Sequence, residues 1–210
     1  KLLSKLEVKY EESGHTEKLI KDSKEIIISP GIDLRSLIKS KPSLKKKKII
    51  SEVEFASRYT NAFIIAVTGT NGKTTTSKLI YHILKNSGFN VGLAGNIGYS
   101  FSESIVENQF DYYVLEVSSF QLDHIINFRP DISIITNITP DHLDRYDNKL
   151  ENYVDAKFKI ISNQKSSDYF IYSGDCSITT NKINNINSIA SAISLHTSNY
   201  KNQQNNYLIH

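Results

Sequence analysis

Short apolar runs alternate with amphipathic stretches along most of this chain. The runs at 63–68, 112–117 and 132–136 are dominated by β-branched, aliphatic and aromatic residues, as is typical of strands covered on both faces. Shorter strands are predicted at 25–29, 49–50, 90–93 and 169–172, and helices at 52–59, 72–87 and 149–162. This alternation predicts an α/β fold with a mostly parallel sheet flanked by helices.

Local signals refine some of these elements. Ser51 and Glu54 have the spacing of a capping box for the helix at 52–59. The helix at 72–87 carries one apolar stripe, and residues 1–22 resemble a polar helix with weak signals. The segment 177–210 shows no helix period, and either strands or low complexity fits it. The stripe residues are Leu79, Ile80, Ile83 and Leu84, and the possible strands are Ile193–His196 and Tyr207–His210.

The composition is that of an ordinary soluble globular protein. The chain has 210 residues, of which 39% are hydrophobic and 22% charged. Its net charge of +3 is too small to argue for nucleic acid, and the basic run at 45–48 fits a solvated connector better than a polyanion site. Cys176 is the single cysteine and fits a reducing compartment. No apolar run approaches the roughly 20 residues that span a bilayer, so we expect no membrane insertion.

A glycine-rich turn between the strand at 63–68 and the following helix is the first candidate site. Backbone N–H groups at such a turn and at the helix N-terminus bind phosphate. Lys73 would supply charge to the outer phosphates and Thr74 a hydroxyl for magnesium. Val67 stands where the general phosphate-loop pattern has glycine, so the loop is a shortened variant. The predicted ATP-binding residues are Gly69, Thr70, Asn71, Gly72, Lys73, Thr74 and Thr75.

Two further candidates lie at the ends of other predicted strands, and ligands bind beyond the carboxyl ends of parallel strands. Glu116 is a carboxylate within an apolar strand, which is costly unless it is paired or binds a cation. Pairing with a basic side chain is the alternative explanation. His142 follows the strand at 132–136, and taken alone it would be an ordinary loop histidine.

Lys157 occupies a position that an apolar residue should fill. In the helix at 149–162 it shares one face with Leu150, Val154 and Ile161. One interpretation is that its methylenes pack while the amine reaches solvent. The other is that the amine is partly desolvated near the site, so that its pKa falls and carbon dioxide converts it to a carbamate. The carbamate would be an extra oxygen ligand for a metal ion.

These side chains together predict a magnesium site. Magnesium prefers hard oxygen donors near phosphates. Thr74, Glu116 and a carbamylated Lys157 would supply oxygens, and His142 would add a nitrogen.

Longer strings of the sequence resemble the Mur ligase family. The phosphate loop resembles the shortened ATP loop of Mur ligases and folylpolyglutamate synthases. The strings at 115–122 and 137–146 resemble the D-glutamate-adding Mur ligases, as do those at 29–32, 95–98 and 156–157. The resemblance extends from about residue 25 to residue 175.

The resemblance implies a three-domain organisation. Residues 1–60 would be the C-terminal part of a Rossmann-like domain that binds the UDP-sugar. Residues 61–210 would be an incomplete central ATPase domain of the P-loop type. The first glycine-rich turn should precede Lys1 and the third domain should follow His210, so we expect little or no ligase activity from the 210 residues alone.

The resemblance also implies a reaction and a location. The protein would be a cytoplasmic, monomeric, ADP-forming amide ligase of peptidoglycan precursor synthesis. The carboxylate of UDP-N-acetylmuramoyl-L-alanine would take the γ-phosphoryl of ATP, and the amine of D-glutamate would attack the acyl phosphate, releasing phosphate.

Roles follow residue by residue from the same resemblance. Lys73 would hold the β- and γ-phosphates, Thr74 and Glu116 one magnesium ion, and His142 and carbamylated Lys157 a second. Lys73, His142 and Lys157 form the expected catalytic group. The expected substrate-binding residues are Ser29, Pro30, Gly31, Asn96, Ser118 and Gln121.

Alternative functions remain open at this point. A folylpolyglutamate synthase or another Mur ligase shares the loop, although the strings around Glu116 and His142 argue against both. A non-catalytic nucleotide-binding module could keep the loop and lose the chemistry. The presence of Lys73, Glu116, His142 and Lys157 in one chain argues against such decay.

Overall fold

The computed structural model describes residues 8–12, 14–186 and 190–197. The strands are β1 (Glu25–Ile28), β2 (Lys48–Ser51), β3 (Phe63–Thr68), β4 (Val91–Gly95), β5 (Tyr112–Glu116), β6 (Ile132–Ile135), β7 (Tyr169–Ser173) and β8 (Ser191–Leu195). The α-helices are α1 (Glu17–Asp22), α2 (Leu34–Ser40), α3 (Glu52–Ala56), α4 (Lys73–Asn86), α5 (Phe101–Glu107), α6 (Ser119–Leu122), α7 (Leu150–Phe158) and α8 (Ser177–Asn184).

The described strands form two parallel sheets. β1 pairs with β2, and the larger sheet has the order β4-β5-β3-β6-β7-β8. Every pairing in the larger sheet is parallel, which confirms the predicted α/β fold. The register places Val67 opposite Glu116 and Thr68 opposite Ile135. The carboxyl ends of β3, β5 and β6 therefore meet at one edge, where the sequence placed its candidate sites.

One face of the larger sheet carries the main hydrophobic core. The core combines side chains from α3, α5 and α7 with side chains from the strands. Val53, Phe101 and Val154 represent the three helices, and Leu115 and Phe170 are fully buried strand residues. Burial on this scale fixes the position of α7, and α7 carries Lys157.

The apolar stripe of α4 is only partly buried. Leu79 and Ile83 are 56% and 54% exposed, whereas Ile80 and Leu84 are half-buried. Ser77 is the buried residue of this helix. Periodicity identified the stripe but could not show which part of it meets the sheet.

The capping-box prediction was right for one of its two residues. The hydroxyl of Ser51 accepts a hydrogen bond from the Glu54 N–H at 3.2 Å, so Ser51 does cap α3. The carboxylate of Glu54 is fully buried and instead accepts from the N–H groups of residues 126–128. Glu54 therefore anchors the β5–β6 connection, a long-range role that local spacing does not reveal.

The C-terminal segment contains more regular structure than its composition indicated. Ile178 and Ile183 of α8 pack against the core, although the helix showed no clear period in the sequence. Strand β8 overlaps the predicted strand Ile193–His196, and Tyr207–His210 lies outside the described residues. In the described part of residues 1–22, the helix covers Glu17–Asp22. Across the described ranges, no helix is long and apolar enough to cross a membrane.

Candidate functional site

The loop between β3 and α4 has a backbone that requires glycine. Gly69 has φ 145° and Gly72 has φ 82°. A Cβ at Gly69 would lie 1.9 Å from Thr136 Oγ1, so a larger residue does not fit. Helix α4 begins directly afterwards at Lys73, and the first N–H groups of a helix have no partner within it. The loop therefore combines a glycine-dependent turn with a helix N-terminus, an arrangement that can cradle an anion. That it binds ATP stays a prediction.

The segment that follows β6 braces this loop. The Thr70 N–H donates to the backbone carbonyl of Asn137 at 2.9 Å, and the Asn71 N–H donates to the side-chain oxygen of Asn137 at 3.0 Å. The hydroxyl of Thr136 donates to the Asn71 carbonyl at 2.6 Å, and that of Thr70 donates to the Thr139 carbonyl at 3.0 Å. The cradle is therefore held in shape by a second strand end.

The amine of Lys73 folds back over the cradle. Its Nζ donates to the carbonyl oxygens of Gly69 at 2.9 Å and Thr70 at 2.8 Å. Lysine has three donors, so an anion in the loop can share this amine without a rearrangement of the helix.

Glu116, at the end of β5, is buried among neutral partners. It is 2% exposed, and its two carboxylate oxygens accept from Thr74 Oγ1 at 2.7 Å and Asn96 Nδ2 at 2.9 Å. Gly95 brings Asn96 close, because a Cβ at Gly95 would lie 2.3 Å from the Glu116 carbonyl oxygen. Pairing with a basic side chain is not seen in the described part of the chain. A carboxylate beside a hydroxyl offers the hard oxygens that magnesium prefers, so these donors fit that ion.

Lys157 points inward and its amine is buried. It is 1% exposed, and Nζ donates to the Gly69 carbonyl at 2.8 Å and lies 4.5 Å from the centre of the Tyr153 ring. Desolvation, together with the charge of Lys73, lowers the pKa of Lys157 to about 7, and Asp141 acts in the opposite sense. The interpretation in which the amine reaches solvent is therefore wrong. A substantial neutral fraction near pH 7 is what carbamate formation requires.

His142 lies at the rim in a strained conformation. Its φ is 48°, in the left-handed region, and its side chain is 56% exposed. Its ring lies 5.5 Å from the ring of Phe120, and Nε2 is 3.4 Å from an Asp141 oxygen. His142 therefore faces solvent and neighbouring side chains at the rim.

A cavity of about 310 Å³ brings most of the predicted site residues together. It lies between the β1 end of the first sheet and the carboxyl edge of the second. Among the residues that line it are Pro30, Gly31, Lys73, Asn96, Ser118, His142 and Lys157. Glu116 adjoins this cavity through its hydrogen bond with Asn96. Thr74 follows the cavity residue Lys73 directly in α4.

Two predicted substrate residues lie elsewhere. Ser29 is exposed and borders a separate apolar cavity beneath β1. Gln121 is 4% exposed, and its side-chain oxygen accepts from the Ser118 N–H at 2.9 Å. Together with the Ser118 hydroxyl it forms a capping box for α6, so Gln121 orients Ser118 rather than facing the cavity.

Residues 67–208 match the family described as the Mur ligase middle domain. The chain belongs to the Mur ligase family. Residues 1–38 match the MurD N-terminal domain. The first match begins near the end of β3 and contains β4 to β8, and the second contains β1 but not β2. Both agree with the resemblance found in the sequence.

A named relative supports the same assignment at higher similarity. A UDP-N-acetylmuramoylalanine–D-glutamate ligase from Bacteroides thetaiotaomicron is 52% identical over 174 residues, which is 83% of this chain and 39% of the relative. This Mur ligase chain therefore spans about two fifths of the length of that curated relative.

Solved structures share the fold at low identity. The MurF ligase from Thermotoga maritima in complex with ADP matches with a TM-score of 0.55 and 18% identity, covering 84% of this chain and 49% of that one. A Mycobacterium tuberculosis folylpolyglutamate synthase complexed with ADP matches with a TM-score of 0.53 and 14% identity, covering 78% and 51%. The fold alone therefore does not separate these two groups of enzymes.

The sequence of this Mur ligase chain did not reveal every residue at the site. Tyr153 lies 3.2 Å from the Thr70 hydroxyl and lines the cavity, but a tyrosine on a helix looks like an ordinary core residue. Phe120 and Arg145 also line it, and they lay in the family strings without a role. Among the described residues, no three His, Cys, Asp or Glu side chains cluster as a ready metal site.

Proposed function

We propose that the complete protein is an ATP-dependent, ADP-forming ligase that joins D-glutamate to UDP-N-acetylmuramoyl-L-alanine through an acyl phosphate. The observation that carries this proposal is the single cavity that has Lys73, His142 and Lys157 on its wall together with the Pro30–Gly31 turn. The identity to the Bacteroides ligase favours this substrate pair over a folate and L-glutamate.

In this proposal the cradle binds the triphosphate and neutralises its charge. The N–H groups of the first turn of α4, from Lys73 to Thr75, would point at the phosphates, whereas those of Thr70 and Asn71 donate to Asn137 and hold the loop in shape. Lys73 would contribute a positive charge. A carboxylate is a poor electrophile, and phosphorylation gives it a good leaving group. Phosphoryl transfer depends mainly on positioning and on charge stabilisation, both of which a preformed cradle supplies.

Thr74 and Glu116 would hold one magnesium ion, and His142 with carbamylated Lys157 a second. Bound there, magnesium would neutralise charge on the transferred phosphoryl group. The oxygen pair around Glu116 supports the first site, with 2.7 Å between Thr74 Oγ1 and the carboxylate. The buried, low-pKa amine supports the modification at Lys157.

The remaining assignments concern substrates and domains. Asn96 and Ser118 would position the muramoyl group, with Gln121 acting through Ser118, and Ser29–Gly31 would border the nucleotide. Residues 1–60 would belong to the UDP-sugar domain and 61–210 to the ATPase domain of a monomer. Because part of this machinery would lie elsewhere in the complete protein, we expect the 210 residues alone to have little or no ligase activity.

The proposal is tested by the substrate dependence of ADP release from the complete protein. We expect release to require UDP-N-acetylmuramoyl-L-alanine and D-glutamate together. Release stimulated instead by a folate and L-glutamate would establish the folylpolyglutamate synthase alternative. ATP binding without turnover under any of these conditions would establish a non-catalytic module.

A further inference from the structure

Two arginines cross the gap between the two sheets in opposite directions. Arg145, from the turn that follows His142, donates from Nη2 to the Ile32 carbonyl at 3.0 Å. Arg35, from α2, pairs with Asp147 on that same turn. The turn after β1 and the turn after His142 are therefore joined at two points.

The two links have different surroundings. The Arg35 and Asp147 side chains are 60% and 52% exposed, and an ion pair in that setting contributes little. Arg145 as a whole is half-buried, and its guanidinium carbon lies 4.6 Å from the centre of the Phe120 ring. A charged hydrogen bond combined with a cation–π contact fixes a side chain more firmly than an exposed ion pair does.

Arg145 also has a position that Arg35 lacks. Arg145 and Phe120 line the 310 Å³ cavity, and they form its wall against a neighbouring cleft of about 510 Å³. Arg35 borders only the larger cleft and not the smaller cavity. The Ile32 carbonyl that Arg145 holds comes directly after the Pro30–Gly31 turn, which lines the same small cavity.

We propose that Arg145 is a positioning residue that holds the Pro30–Gly31 turn against the catalytic rim, and thereby sets the affinity for the nucleotide-linked substrate. This inference rests on the proposed function, which assigns that turn to the substrate. In that assignment the turn would contact a part of the substrate that does not react. Displacement of the turn should weaken binding of the substrate in the ground state and in the transition state equally. KM would then rise and kcat would stay unchanged.

The test is steady-state kinetics of the complete protein with Arg145→Met, which keeps an aliphatic stem and removes every donor. We expect KM for UDP-N-acetylmuramoyl-L-alanine to rise about tenfold, with kcat and the KM for ATP within about twofold of the parent. Arg145→Lys restores a charged donor without the planar group, so KM should return to within about threefold of the parent.

Arg35→Ala is the matched control, because it removes the exposed link only. Its KM should stay within about twofold of the parent. A fall in kcat at unchanged KM, or equal effects of Arg35→Ala and Arg145→Met, would overturn the positioning role. If Arg145→Met does not fold, judged by its thermal transition, Arg145→Gln replaces it, with the same expected rise in KM at unchanged kcat and the same control.

Failure of the underlying function is distinguishable from failure of this inference. A parent protein that neither turns over nor binds UDP-N-acetylmuramoyl-L-alanine, measured by titration calorimetry, would overturn both. An active parent with an unchanged KM in Arg145→Met would overturn the role of Arg145 alone.

Discussion

The two halves of the site differ in how complete they are. The cradle half consists of Gly69–Thr74 with Glu116 and Asn96, and its polar groups are already joined by hydrogen bonds of 2.7–2.9 Å. The rim half consists of His142 and Lys157, of which one is 56% exposed and the other 1% exposed. Nothing in the described residues joins those two side chains to each other.

This difference separates the part of the candidate site that folding alone assembles from the part that, as proposed, needs a modification and ligands. The cradle depends on local turns and on strand ends that the sheet brings together, so folding completes it. The rim half, as proposed, depends on a covalent change at Lys157 and on ligands that bridge to His142. The predictions below test that division.

Lys73→Ala should have the largest effect, because it removes the charge from a cradle that is otherwise complete. We expect turnover by the complete protein to fall about a hundredfold to a thousandfold. Lys78→Ala is the control, since Lys78 is exposed on the same helix. Turnover within a few-fold of the parent would contradict the cradle assignment.

Lys157→Ala should reduce turnover by about a hundredfold, because it removes the side chain that we propose to be carbamylated. Added formate or acetate should recover part of that loss by supplying the missing carboxylate in trans. Lys159→Ala, which alters the neighbouring Lys159–Asp123 ion pair, should show no such rescue. Full activity of Lys157→Ala without any additive would exclude the carbamate.

Glu116→Gln should weaken magnesium binding more than it lowers the stability of the fold, because the amide keeps the shape of the carboxylate and loses its charge. We expect the magnesium concentration for half-maximal turnover to rise about tenfold to a hundredfold. The exposed Glu103, changed to Gln, is the control. An unchanged magnesium requirement would remove Glu116 from the metal site.

The smallest expected effect is on the pH dependence of the free energy of unfolding. It is measured in the absence of carbon dioxide, so that the Lys157 amine is unmodified. Burial lowers its pKa from 10.5 to about 7, so between these pH values the unfolded chain binds more protons than the folded one. The free energy of unfolding should therefore rise with pH in that interval, relative to Lys157→Met. Urea unfolding of both proteins at several pH values measures this difference, and parallel pH profiles would show that the amine is not desolvated.

The sequence predicted those parts of the molecule that depend on local pattern. The strand β3 was predicted with its observed bounds, because a β-branched run that is buried on both faces has few alternatives. Lys157 was placed correctly because its helical neighbours Leu150, Val154 and Ile161 are apolar. Glu116 was recognised by the same conflict between residue type and position.

Other parts depend on contacts that are distant in sequence. Asn137 binds the phosphate loop across 66 positions, and no local signal predicts a contact of that kind. Leu79 and Ile83 lie on a correctly identified stripe, but their exposure depends on where α4 rests on the sheet. Helix α8 was missed because its Ser, Thr and Asn residues have weak helix propensity, and tertiary packing of two isoleucines determines it.

The carbonyl oxygen of Gly69 accepts from both lysines, from Lys73 at 2.9 Å and from Lys157 at 2.8 Å. A carbonyl oxygen has two lone pairs, so both are in use. Each donor weakens the C=O bond, and the loss of either one would raise its stretching frequency. Isotope-edited infrared spectroscopy of this single carbonyl would therefore follow events at both amines at once.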